Sequence, residues 1–65
     1  MEAYQQRVID EKAELDGKLA RLNAFTEGQA FAALPWDERC RLSRQALVMI
    51  EYSMVLGERI AAFAA

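Results

Sequence analysis

Apolar positions recur at helical spacing along almost the whole chain. From residue 2 to residue 25, Val8, Leu15 and Leu22 repeat every seven residues, and Leu19 and Phe25 fill the same face. That period is the signature of an amphipathic helix. A weaker stripe runs through Ile9, Ala13 and Ala20, and Glu11, Lys12, Glu14, Asp16, Lys18 and Arg21 lie between. These are charged residues of mixed sign, several of them good helix formers. Gly17 interrupts them, at a cost of about 1 kcal/mol relative to alanine. It reads either as a tolerated surface glycine, the reading the pattern favours, or as a point of close approach by another chain or a ligand.

Residues 23–36 punctuate the pattern. Thr26 followed by Gln29 fits a capping box, whereas Gly28 fits the residue that closes a helix. Both readings end the first helix near Phe25–Gly28. A short helical turn over Gln29–Ala33 follows. Pro35 then pushes Leu34 away from the α region and suits the first turn of a new helix. Asp37 and Glu38 fall in that turn, where acids complement the helix dipole.

The second long helix is predicted from Trp36 to Phe63. Leu42, Met49, Leu56 and Phe63 repeat every seven residues, supported by Ala46 and Ile60. A second stripe runs Cys40, Leu47, Met54 and Ala61, and a third runs Val48, Val55 and Ala62. One partner helix needs only one stripe. Three stripes call for cover on most sides, so copies of the chain are expected to supply the rest. The connector is short, so the long helices should pack antiparallel. The expected fold is therefore all-α: one domain over residues 1–65, an antiparallel helical hairpin with a short connecting helix, assembling as a homo-oligomer.

Composition strengthens the case for association. A chain of 65 residues buries only roughly 60% of the surface its unfolded form exposes. Chains this short usually need a disulfide, a metal or a partner. Cys40 is the single cysteine and there is no histidine, which leaves neither an intrachain disulfide nor a zinc site. A hydrophobic content of 54% is more than one hairpin hides. Cys40 lies on an apolar stripe and is expected to be buried and inert. Trp36 is expected to pack the hairpin corner.

Net charge is −2, from 8 basic and 10 acidic side chains. Duplex DNA and RNA binders usually carry a basic excess, so duplex nucleic acid is not an expected partner. Small anionic ligands need only one or two local cations. Residues 1–16 lack the apolar core of a signal peptide. The longest apolar run, Ala46–Ile50, is too short for a membrane span. A free cysteine fits a reducing, cytoplasmic setting.

Catalytic chemistry is thin. The commonest general base is missing, Ser43 and Ser53 lack an elbow sequence around them, and carboxylates are scattered along polar faces. No enzyme activity and no cofactor are expected. Binding residues are easier to find. Tyr4, flanked by Gln5, Gln6 and Arg7, offers a π-face. Lys18 is a cation on a partly polar edge, and Arg59 has the guanidinium geometry of a phosphate clamp. The pattern favours plainer roles for Tyr4, Lys18 and Arg59: a cap on the core, a solvated side chain and a complement to the helix dipole.

The run Tyr4-Gln5-Gln6-Arg7-Val8-Ile9-Asp10-Glu11-Lys12-Ala13-Glu14-Leu15-Asp16-Gly17-Lys18-Leu19 resembles the first helix of the phage anti-CBASS sponge proteins. Phe31-Ala32-Ala33-Leu34-Pro35 and Tyr52-Ser53-Met54-Val55-Leu56-Gly57-Glu58-Arg59-Ile60 extend the resemblance over nearly the whole chain. A related group of anti-Thoeris sponges shares the hairpin. The resemblance implies a hexamer built as a trimer of dimers. It also implies sequestration, without cleavage, of cyclic di- and trinucleotides made by bacterial immune enzymes, in the host cytoplasm. Tyr4 matches the family's tyrosine that stacks on a dinucleotide base, and Lys18 the lysine that supports that site. Arg59 matches an arginine that contacts trinucleotide phosphates. With Arg7, these residues are expected to converge at interfaces between chains. The competing reading is a small interaction module or inhibitor that binds another protein through an apolar helix face.

Overall fold

A computed structural model describes residues 1–64. Helix α1 spans Ala3–Thr26, α2 spans Gln29–Ala32 and α3 spans Trp36–Ala62, with no strand among the described residues. At about 1.5 Å per residue, α3 alone is about 40 Å long. It sets the length of a rod measuring 46 × 14 × 14 Å. The start of α1 lies against the end of α3: the Tyr4 and Phe63 rings meet edge to face with centroids 5.7 Å apart. Lys12 meets Ser53 farther along. The two long helices are therefore antiparallel, as the short connector predicts.

The helix ends follow local chemistry. The Glu2 backbone N–H donates to Gln5 Oε1 at 2.8 Å and satisfies one of the polar groups at the start of α1. At its other end, α1 stops within the expected stretch and Gly28 follows its C-cap, Glu27, but neither the capping box nor a left-handed glycine forms. The Thr26 hydroxyl donates backward to the Asn23 carbonyl at 2.8 Å rather than capping α2. Gly28 is the N-cap of α2, with φ −97°, not a left-handed closing residue. Pro35 takes the N-cap position of α3, and Asp37 and Glu38 occupy the first turn. Arg41 is held by both acids, at 2.8 Å from Glu38 and 3.4 Å from Asp37.

The core is small. Val8, Leu15 and Leu56 are buried, and Met49, Ile60 and Phe63 pack against them. Burying a side chain of this kind contributes about 1.5–3 kcal/mol. Of the three stripes on α3, only the Met49–Leu56–Phe63 stripe is covered by α1. The other two face outward: Leu47 is 67% exposed, Val48 64% and Met54 56%. This corrects two expectations. Cys40 shares the Leu47–Met54 stripe and is exposed, not buried. Trp36 is 71% exposed; the corner is packed instead by Phe25 and Phe31, whose rings meet edge to face at 6.1 Å.

Candidate functional site

The predicted binding residues divide between two places on the rod. Tyr4 is half-exposed and leans its ring on Phe63. Arg7 follows one turn later on α1 and is exposed. Arg59 lies in the last turn of α3, at the same end of the hairpin, and is also exposed. Lys18 is exposed but sits 14 residues beyond Tyr4, about 21 Å along the helix axis. One chain thus gathers Tyr4, Arg7 and Arg59 at one end and leaves Lys18 apart.

Between them lies a polar clamp that periodicity does not reveal. Lys12 Nζ donates to Asp16 Oδ2 at 2.7 Å and to Ser53 Oγ at 3.1 Å. Ser53 Oγ in turn donates to Asp16 Oδ1 at 2.5 Å. The hydrogen bonds from Lys12 and then Ser53 hold the Asp16 carboxyl below its ordinary value of 3.8. A Cβ at Gly57 would stand 3.4 Å from Lys12 Cε, in ordinary contact with a flexible side chain, so the crossing has room for a methyl group there. At Gly17 a Cβ would likewise meet only the tip of a flexible side chain, Arg21, at 3.4 Å. The clamp fixes how the helices register.

A concavity lies along α3. A groove of about 420 Å³ runs from Phe31 and Trp36 to Leu47, with Arg39, Cys40, Ser43 and Arg44 between them. Trp36, Cys40, Ser43 and Leu47 are spaced four, three and four residues apart, so they share one helix face. The Arg39 Nε is buried with no hydrogen-bond partner among the described residues. Arg44 also borders a second groove, of about 360 Å³, with Arg41, Gln45, Val48 and Met49. The sequence reading did not single out Arg39 or Arg44. The signal was present: from Arg39 to Ile50 the chain carries three arginines and no acid, within a protein of net charge −2.

Among the described residues, no three His, Cys, Asp or Glu side chains gather as a metal site. No helix there is long and apolar enough to cross a membrane. These features define a class: a small all-α hairpin whose chemical resources are aromatic faces, guanidinium groups and uncovered apolar stripes. A family model for Sequestin matches residues 2–62, and the chain belongs to that family. The family's name denotes sequestration. No curated protein and no solved structure matches the chain.

Proposed function

We propose that this protein is a non-catalytic sponge. It binds cyclic di- and trinucleotide second messengers of bacterial antiphage immunity and holds them intact, so that their effectors stay silent in the host cytoplasm. Membership of the Sequestin family over residues 2–62 carries this reading. The side-chain inventory supports it, because a sponge needs affinity without turnover. Tyr4 stacks on a base, Arg59 holds phosphate, and Arg7 and Lys18 add positive charge. Because Lys18 stands about 21 Å along the axis from Tyr4, the site that joins them takes its lysine from a second copy. The outward stripes through Met54, Val48 and Val55 give that copy an apolar surface to bury, in a hexamer arranged as a trimer of dimers. Two-fold symmetry then presents matching groups to a near-symmetric cyclic dinucleotide.

Calorimetric titration with 3′,3′-cyclic GMP–AMP and with a cyclic trinucleotide tests the proposal, followed by chromatography of the released ligand. Saturable binding with unchanged ligand recovered is the expected result. Absence of heat across a broad panel of cyclic nucleotides would sink it. The same exposed stripes favour a second reading, a module that binds another protein through α3. Light scattering separates the two: a discrete hexamer at micromolar concentration supports the sponge, and a monomer or loose dimer supports the module.

A further inference from the structure

We infer that the groove beside Trp36 is a second ligand site, built to hold a phosphorylated nucleotide with its base against the aromatic end and its phosphate on Arg39 and Arg44. The inference deepens the sponge reading, and it rests on that reading only for the ligand's being cyclic. Five observations converge on it. The groove's volume of about 420 Å³ lies within the range of small-molecule sites. At one end Trp36 and Phe31 supply aromatic surface, and the indole is 71% exposed, so a base has a sequence-tolerant platform to stack on.

Arg39 and Arg44 line the groove and make no ion pair among the described residues, whereas Arg41 between them is held by Asp37 and Glu38. A guanidinium fork matches phosphate oxygens in a bidentate way. The fourth observation is the buried Arg39 Nε, a donor without a partner among the described residues. Buried donors in folded proteins are nearly always paired, and a phosphate oxygen would pair this one. The fifth is local charge. The residues lining the groove include two arginines and no acid, so its wall is cationic on a chain of net charge −2. Ser43 adds a hydroxyl on the same wall. An apolar helix from a second copy would leave both guanidinium groups unpaired, and charge complementarity therefore selects the anion.

Trp36 is the single tryptophan and reports directly on the groove. The full chain is titrated with 3′,3′-cyclic GMP–AMP, cyclic triadenylate, ADP and inorganic pyrophosphate. Trp36 emission is followed alongside calorimetry, and R39Q and R44Q are compared after their helicity is checked. Quenching of Trp36 by a nucleotide is expected, with affinity about tenfold weaker in each arginine variant. Protection of Cys40 from alkylation by the same nucleotide gives a readout on the unsubstituted chain. Cyclic-nucleotide binding with unchanged Trp36 emission, unprotected Cys40 and unaltered arginine variants overturns the groove and leaves the sponge standing. Quenching by ADP that R44Q weakens, with no cyclic nucleotide bound, supports the groove and overturns the sponge. A Trp36 shift that follows protein concentration and ignores every ligand assigns the groove to a second copy and overturns the inference. Silence from all four probes overturns it as well.

Discussion

Lys12 and Ser53 stand 41 residues apart in sequence, and the lysine Nζ donates a 3.1 Å hydrogen bond to the serine Oγ. With Asp16 they form a three-residue clamp across the hairpin. The depressed Asp16 pKa makes this clamp sensitive to acid. A carboxylate whose folded pKa lies below its unfolded value stabilises the fold above the unfolded value. That contribution drains away as pH falls through the folded pKa. Acidification from about pH 5 to about pH 3 should therefore weaken the clamp. Denaturant titrations across this range should show a smaller loss for D16N than for the parent. Equal losses in the two proteins would assign the acid sensitivity elsewhere.

Leu56 is the most buried side chain, at 1% exposure. Leu56→Ala removes the centre of a very small core, and a cost of about 2–5 kcal/mol is expected. Circular dichroism during urea titration should find the midpoint sharply lowered or the chain largely unfolded. A loss below about 1 kcal/mol would mean that contacts outside Val8, Leu15 and Leu56 hold the hairpin.

Gly17 offers a sharper test of what surrounds α1. In the single chain, a methyl group there meets only the flexible end of Arg21. Gly17→Ala should therefore raise stability by about 0.5–1 kcal/mol, through lower backbone entropy in the unfolded state. A loss of stability would instead reveal another chain seated on that glycine. The melting temperature, measured at several protein concentrations, distinguishes the two results.

The uncovered stripes of α3 predict separate effects on folding and assembly. Val48→Glu and Met54→Glu alter side chains that are 64% and 56% exposed. Exposed substitutions usually change stability by no more than about 0.5 kcal/mol. If copies meet on this surface, light scattering should show smaller particles for both variants while helicity per residue stays near that of the parent. Particles of parental mass in both variants would place the interface on another face.

Much of the fold was legible in the seven-residue repeats. They located both long helices to within one residue at each end, and the short connector dictated their antiparallel packing. The repeats could not say which stripe on α3 the chain covers by itself. Cys40 looked like a core residue because it shares a stripe with Leu47 and Met54, and that stripe turned out to face away from α1. Trp36 looked like a corner residue because large aromatics are usually covered, but Phe25 and Phe31 already fill the corner. The Lys12–Asp16–Ser53 clamp was hidden for a different reason. It depends on the register between two helices, which neither helix encodes alone. The candidate site was only partly legible. Tyr4, Arg7 and Arg59 do share an end, but the distance to Lys18 appears only once α1 is laid out as a straight helix. Arg39 and Arg44 were overlooked because their arginine-rich stretch is diluted by the acidic balance of the whole chain.

The exposure of Cys40 has a practical consequence. The chain has one cysteine and one tryptophan, four positions apart on the same side of α3 and both open to solvent. A thiol-reactive acceptor dye therefore attaches at one defined atom, within energy-transfer range of one defined donor. No residue need be changed to install the pair. The rate at which Cys40 takes up the dye also tests whether anything shields it, so a single labelling time course on the unaltered protein tells a covered α3 surface from an open one.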